Sequence, residues 1–250
     1  MINIRATQLE SFITCPARYR FEEEADPNSD AFKFWTTLHK IIEMYVEGVE
    51  NQDAIDILLE PRWVKERKML KSMTETFVDN IKKRELTFVM SEYSFTKKFD
   101  DIVLSDNTNP TLQWTFDLLF KDKDWKYIIV DIKTASSAWK QDHIDAVQQR
   151  RIYPALAERC NWLHISRFEY WIMKKTLTPG LQEVGYDIEV NNLETVTRFM
   201  KQLAEASDSL EFVPNYPNYT CFFCKIKEEC RNIRHFLENN NKNGWDSTTN

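Results

Sequence analysis

The segment that most constrains the fold is WKYIIVDIKT, Trp125 to Thr134, in which an apolar run ends in an acid and a base. Successive side chains of a strand point to opposite faces, so Asp131 and Lys133 share one face with Tyr127 and Ile129. A run this apolar predicts a core strand. A carboxylate and an ammonium at the end of such a strand form either a structural ion pair or a reactive site.

Composition describes a globular chain of 250 residues, with 42% hydrophobic and 29% charged residues and room for one sizeable domain. No apolar run approaches a membrane span, and the N-terminus lacks the apolar core of a secretion signal. We therefore expect a cytoplasmic protein with no membrane partner and with reduced thiols.

Charge and glycine content exclude two classes of protein. A net charge of −6 argues against a protein that coats nucleic acid, although an enzyme needs only a local basic groove. The four glycines form neither common phosphate-binding loop, so the chain is not an ATP-driven motor. The low glycine count and the Asn/Lys-rich tail are typical of a phage or mobile-element protein, which would work in the host cytoplasm.

Periodicity and turn signals predict one α/β domain over residues 1–237, followed by a disordered tail over 238–250. Thr7 to Glu10 has the pattern of a capping box that opens a short helix. In the next helix, a buried stripe is predicted from the three- and four-residue spacing of Trp35, Leu38, Ile42, Tyr45 and Val49. The predicted elements are helices over 31–48, 61–84, 141–160 and 192–206, and strands over 87–95, 111–120, 125–134 and 167–175.

A second carboxylate lies on the strand before the acid–base pair. If Trp114, Phe116, Leu118 and Phe120 share one face of that strand, Asp117 points to the opposite face. Carboxylates that converge from adjacent strands can bind a hard divalent cation, and a nearby lysine can stabilise negative charge at a phosphate. The structural alternative is a buried Asp–Lys pair, which commonly adds little net stability.

The cysteines give the most specific spacing in the chain. The segment CFFCKIKEEC places three cysteines as C-x2-C-x5-C, and a fourth lies near the N-terminus in TCPARY. The four residues are Cys15, Cys221, Cys224 and Cys230. A tight triplet with one distant cysteine favours a four-iron cluster, with a zinc ion and uncoordinated thiols as the alternatives. The fifth, Cys160, is interpreted as a buried thiol.

Three further residues carry little meaning singly. His39 taken alone is more often a core histidine, and Gln149 and Tyr153 merely share one face of a predicted helix. Taken with the acids, the lysine and the cysteines, however, they form an ordered series between Thr7 and His235. This series resembles the RecB-like branch of the PD-(D/E)XK nucleases. Within that branch it resembles the iron–sulfur members: the CRISPR-associated adaptation exonuclease, the nuclease domain of AddB and phage-encoded relatives.

The resemblance implies a restriction-endonuclease-like core: a mixed central sheet flanked by helices, with terminal helical segments joined at a 4Fe-4S cluster. It implies that His39, Asp117 and Asp131 bind Mg²⁺ or Mn²⁺ and that Lys133 serves the attacking water. Gln149 and Tyr153 would support the site and the DNA strand. The cluster would be held by Cys15, Cys221, Cys224 and Cys230. Glu92 matches a recurrent acid of the family more loosely.

The implied activity is a metal-dependent DNA exonuclease acting at DNA ends or in single strands, in recombination, repair or phage replication. A separate helicase, recombination or integration protein would be its partner. One alternative is a CRISPR adaptation nuclease that trims spacers, and another is an inactive DNA-binding or scaffold protein. The sequence departs from the family at Trp35 and Trp114, where small residues are common.

Overall fold

The computed structural model describes residues 3–21, 28–48, 52–60, 62–104, 106–159, 163–188, 192–213, 215, 221, 224, 228 and 230. The strands are β1 (Asn3–Arg5), β2 (Thr87–Lys98), β3 (Thr111–Lys121), β4 (Tyr127–Ala135), β5 (Ile165–Lys174) and β6 (Leu181–Asp187). The helices are α1 (Ala6–Thr14), α2 (Pro16–Phe21), α3 (Asp30–Val46), α4 (Gln52–Leu59), α5 (Val64–Lys83), α6 (Gln141–Ala146), α7 (Gln149–Arg159) and α8 (Asn192–Ser209).

The strands form one mixed sheet in the order β1-β3-β4-β5-β6, and β2 pairs with β3 outside this path. The β1/β3 and β4/β5 pairs are parallel, whereas the β2/β3, β3/β4 and β5/β6 pairs are antiparallel. Strand β2 pairs with one edge of β3 along its length. On the other edge, β1 pairs with the start of β3 and β4 pairs with its end. The predicted mixed sheet flanked by helices is confirmed.

Each face of the sheet has its own hydrophobic core. One core includes residues of α1, α7 and α8, and the other includes residues of α3, α4 and α5. The central strand β4 supplies both: Ile129 lies in the first core, and Ile128, Val130 and Ile132 lie in the second. The alternation predicted for this strand is therefore confirmed, and its two buried faces explain its apolar sequence.

Strand β3 differs from its prediction at Asp117. Trp114 and Phe116 lie in the first core, whereas Leu118 and Phe120 lie in the second, so the four side chains do not share a face. The regular two-residue alternation slips between Phe116 and Leu118. Asp117 therefore lies at the irregularity: even-numbered side chains before it point to the first core, and even-numbered side chains after it point to the second.

Two helical predictions are also corrected. The expected helix over 141–160 is two helices, because the backbone of Val147 is extended (φ −78°, ψ 126°) and ends α6 before α7 begins. The capping box at Thr7 is wrong, because α1 begins at Ala6 and the Arg5 amide donates to Gln8 Oε1 at 2.8 Å. Glu10 is thus free to bond elsewhere. Cys160 and the tail over 238–250 lie outside the described residues.

Helix α3 confirms the expected stripe at Leu38 and Ile42, whereas Tyr45 is 41% exposed and Val49 lies outside the described residues. Phe34, Leu38, Ile41 and Ile42 pack into the second core, while Trp35 is only half-buried. These four residues recur at helical spacing and form the face of α3 that packs on the sheet. Trp35 lies at the border of this face. None of the described helices is long and apolar enough to span a membrane.

Candidate active site

The site lies where β3 and β4 separate. Their pairing runs from Lys121–Tyr127 to Leu118–Val130, so the next pair in register would set Asp117 opposite Asp131. Instead, Asp117 Oδ2 accepts a hydrogen bond from the Ile132 amide at 2.7 Å. Two carboxylates from neighbouring strands therefore meet at an opening in the sheet, as the sequence predicted for adjacent strands.

His39 joins these strands from α3. Its Nδ1 lies 3.4 Å from Glu92 Oε1 on β2 and 3.8 Å from Asp117 Oδ2 on β3. One ligand atom from each of the three residues lies within 4.8 Å of the others. Glu92 has a positive φ of 43°, which is uncommon for a residue with a side chain. Glu92 matched the family pattern only loosely in the sequence, because backbone geometry of this kind leaves no periodic signal.

Asp131 and Lys133 form an ion pair beside this cluster. Lys133 Nζ lies 2.6 Å from Asp131 Oδ2, a close contact between opposite charges. The Asp131 side chain is only 2% exposed. The carboxylate is thus held away from water with one basic contact in the described part of the chain, which leaves its oxygens under-coordinated.

Burial governs the acids of the site. It raises the pKa of Asp131 to about 6, against the opposing charge of Lys133 and with the added repulsion of Asp117. It also raises the pKa of Asp117, although the charges of His39 and Lys133 act in the opposite direction. Both carboxyl groups are therefore short of positive charge, a deficit that a bound cation would remove.

The basic groups respond to the same acids. Burial acts to lower the pKa of His39, but the Asp117 charge and the Glu92 hydrogen bond raise it above its ordinary value. Burial likewise opposes the charge of Lys133, yet Asp131 and Asp117 raise its pKa, so the ammonium keeps its proton. Nε2 of His39 is buried and has no hydrogen-bond partner among the described residues.

These observations fit a divalent cation. A neutral imidazole and carboxylate oxygens are suitable ligands for Mg²⁺ or Mn²⁺, and three such side chains already converge. Asp131 is not in that group of three, but it lies on the neighbouring strand and its charge acts on Asp117 and on His39. The structure therefore brings His39, Asp117 and the loosely matched Glu92 together, with Asp131 on the neighbouring strand.

Helix α7 contributes from the opposite face of the sheet. Gln149 Nε2 lies 3.4 Å from the Tyr153 hydroxyl, and both side chains are buried. Burial and the charges of Asp131 and Asp117 raise the pKa of Tyr153 well above its ordinary value, which places the phenol within electrostatic reach of the acids. Oε1 of Gln149 is buried without a hydrogen-bond partner among the described residues.

Glu10 is a neighbour that the sequence did not reveal. Its Oε1 accepts the Gln148 amide at 2.8 Å, which ties α1 to the start of α7. Burial raises its pKa, and its charge interacts with Lys133 and Asp131. The capping-box interpretation concealed this residue, since it assigned the carboxylate to the backbone of its own helix.

The four described cysteines carry thiols rather than disulfides. Cys15 is buried, and its Sγ accepts the Asn215 amide at 3.4 Å, while Cys221, Cys224 and Cys230 are half-buried. Asn215 thus lies beside the N-terminal cysteine. Among the described residues, however, the cysteines do not form a cluster-like group of ligand atoms, and the metal-binding geometry belongs to His39, Glu92 and Asp117.

Comparisons with known proteins find one matching family and similar solved structures. A family model described as the PD-(D/E)XK nuclease superfamily matches residues 4–231. The crystal structure of a candidate exonuclease from Eubacterium rectale is similar in fold, with TM-score 0.50 at 10% identity over 92% of this chain and 87% of that one. The crystal structure of SSO0001 gives TM-score 0.45 at 16% identity over 92% of this chain and 86% of that one. No curated protein sequence matches the chain.

Proposed function

The chain belongs to the PD-(D/E)XK nuclease superfamily, and from this premise we propose that it is a metal-dependent deoxyribonuclease acting at DNA ends or in single strands. One observation carries the proposal. A histidine and two acids from three different elements converge within 4.8 Å, at the point where β3 and β4 separate beside a buried Asp–Lys pair. A purely structural cluster would have no reason to leave its buried carboxyl groups short of positive charge.

His39, Glu92, Asp117 and Asp131 would hold the cation in this proposal. A bound Mg²⁺ or Mn²⁺ supplies an activated water and stabilises negative charge at a phosphate. The fit rests on the acids, whose raised pKa values express the missing positive charge. Their carboxylates must be deprotonated to bind, so acid weakens binding.

Lys133 would serve the reacting phosphate. Its ammonium keeps its proton because Asp131 and Asp117 raise its pKa. Held 2.6 Å from Asp131, it can orient a water and offer positive charge to the phosphate oxygens. Gln149 and Tyr153 lie on α7, on the face of the sheet opposite α3. The Tyr153 hydroxyl accepts from Gln149 Nε2 and keeps its own proton to donate to the site, and Gln149 Oε1 can accept a hydrogen bond there.

The RecB-like assignment and its 4Fe-4S cluster rest on the cysteine spacing. Cys15, Cys221, Cys224 and Cys230 would hold the cluster and join the two ends of the domain, and the Asn215–Cys15 hydrogen bond supports that proximity. Protein purified without oxygen should then contain about four irons per chain and should lose them in Cys230→Ser. Stoichiometric zinc without iron, or iron retained in that variant, would reject the cluster.

Cleavage assays test the nuclease directly. We expect linear single strands to be degraded with Mg²⁺ or Mn²⁺ and not with EDTA, and covalently closed duplex to be spared. Asp131→Asn should lose this activity, whereas Asp124→Asn, which makes the same charge change at an exposed turn position, should keep it. If metal-loaded protein cleaves no DNA, the chain is the inactive binding protein. Equal cleavage of closed duplex would remove the requirement for ends or single strands.

A further inference from the structure

Helix α3 aligns three rings on one stripe. The Trp35 ring centroid lies 3.9 Å from that of His39, with the planes at 39°. The Phe32 centroid lies 6.1 Å from that of Trp35 on the other side. The spacing of three and four residues places the rings on one helix face. A continuous aromatic surface therefore leads from the candidate metal site toward the N-terminal end of the helix.

Exposure rises along this surface. His39 is 5% exposed, Trp35 is half-buried, and Phe32 is 37% exposed. The core of the helix does not require the tryptophan, because Phe34, Leu38 and their neighbours fill it. A large indole is thus held beside the site with part of its surface open to solvent.

The charge of the site indicates what this surface would contact. His39, Glu92 and Asp117 form a cluster that attracts cations and repels unshielded phosphates. A neutral planar group avoids this repulsion and gains contact with the indole. Nucleobases stack on aromatic side chains irrespective of their sequence, since every base has a π-face.

We propose that Trp35, extended by Phe32, is a stacking surface for the unpaired base next to the phosphate that is cleaved. This inference rests on the proposed nuclease function and deepens it by naming how single strands are recognised. Bases within a duplex stack on one another and are not available to the indole. The surface therefore favours single strands and frayed ends over duplex interiors.

The test compares two single-stranded oligonucleotides, one with all bases and one with abasic positions at the terminal nucleotides. The parental protein should have a lower KM for the base-bearing strand by roughly 5- to 150-fold, as stacking of one base implies. Trp35→Leu should raise the KM for that strand toward the abasic value and leave the abasic KM unchanged. Trp35→Phe should restore part of the difference, since it keeps a smaller ring.

A matched control separates stacking from a general effect of tryptophan loss. Trp125, in the turn between β3 and β4, is 73% exposed, and Trp125→Leu should retain the full preference for bases. Phe32→Leu should reduce the preference less than Trp35→Leu, because Phe32 lies farther from His39. A fall in kcat of equal size on both strands in Trp35→Leu would mean that the indole only positions His39, and would overturn the proposal.

Binding measured in EDTA gives a result even if no DNA is cleaved. Fluorescence anisotropy should show tighter binding of the base-bearing strand by the parental protein, and equal binding of both strands by Trp35→Leu. Failure of the nuclease proposal would then appear as binding discrimination without cleavage. Equal affinity of the parental protein for the two strands would overturn the stacking surface whatever the activity.

Discussion

Two buried carboxylates on neighbouring strands, Glu169 of β5 and Asp131 of β4, have opposite electrostatic character. In the parallel pairing, Glu169 is in register with Val130, and Asp131 with Tyr170. The two acids are one residue apart in this register, and their side chains are about equally buried, 3% and 2% exposed. They differ in what surrounds them.

Glu169 is saturated. Arg84 Nη2 donates to its Oε1 at 2.9 Å, Arg167 Nε donates to the same oxygen at 2.7 Å, and Trp171 Nε1 donates to its Oε2 at 2.8 Å. Burial acts to raise the pKa of Glu169, but these donors outweigh it and lower the pKa. Arg84 follows the last turn of α5, so the cluster ties that helix to the sheet.

Asp131 is unsaturated. Among the residues that the structure describes, the Lys133 ammonium is the one cation paired with its carboxylate, and burial raises the pKa of Asp131 to about 6. Glu169 is fully paired, whereas Asp131 is short of hydrogen-bond donors, and this difference indicates that the two acids have different roles. The paired acid stabilises the fold, whereas the other gives up stability for a cation and a substrate.

The largest expected effect is on activity. Asp131→Asn removes one charged ligand and should lower cleavage about 10²–10⁴-fold, with folding retained. Glu169→Gln should keep activity within a few-fold, because the Glu169 carboxylate is already occupied by Arg84, Arg167 and Trp171. Single-turnover cleavage with Mn²⁺ measures both. Parental activity in Asp131→Asn would show that Asp131, like Glu169, serves only to stabilise the fold.

The next effect is on stability, and it reverses the order of the two variants. Glu169→Gln leaves Arg84 and Arg167 without their shared charge and should lower the free energy of unfolding by about 3 kcal/mol. Asp131→Asn should lower it by less, because the wild-type carboxyl is itself unfavourably buried. Urea unfolding in EDTA measures this difference. A Glu169→Gln variant with the parental urea midpoint would show that the hydrogen bonds to the Glu169 carboxylate do not stabilise the fold.

A third effect is the pH dependence of stability without metal. Asp131 has a raised pKa in the folded state, so its favourable contribution is present below its unfolded value of 3.8 and is lost as pH rises through about 6. Relative to wild type, Asp131→Asn should therefore become more stable by about 2 kcal/mol between pH 4 and pH 7. Glu169→Gln should change in the opposite direction at lower pH, since the pKa of Glu169 is lowered. A pH-independent difference for Asp131→Asn would contradict the raised pKa.

The smallest effect concerns Glu10, which holds the start of α7. Glu10→Ala removes the acceptor of the Gln148 amide and should lower kcat about tenfold through displacement of Gln149 and Tyr153. Glu10→Gln keeps an acceptor oxygen and should retain most of the rate. Steady-state kinetics distinguish the two. Equal losses in both variants would assign the effect to the carboxylate charge rather than to helix position.

The parts of the site that follow from regular alternation along a strand could be predicted from the sequence. The alternation of β4 placed Asp131 and Lys133 on one face, and the neighbouring strand placed Asp117 close by. It could not reveal the slip of β3 at Asp117, because alternating apolar residues look the same whether or not a strand changes faces. Glu92 depends on a positive φ, which leaves no periodic signal.

Other residues were predicted wrongly because the same sequence pattern is compatible with two different structures. Glu10 matched a capping box, yet its carboxylate bonds α7 instead of its own helix. Trp35 matched a buried stripe, yet the core rotates toward Phe34 and leaves the indole over His39. The choice between such solutions is made by tertiary contacts, which spacing along the chain does not contain.

Calorimetric titration with Mn²⁺ tests the central claim most directly, because it asks whether the unsaturated acids bind a cation independently of any DNA. The wild-type protein and Glu169→Gln should bind Mn²⁺ with the same stoichiometry and similar affinity. Asp117→Asn should lose that binding, since it removes the acid that contacts both His39 and the β4 backbone. Parental Mn²⁺ affinity in Asp117→Asn, or no binding by the wild-type protein, would contradict the assignment of this opening in the sheet as a metal site.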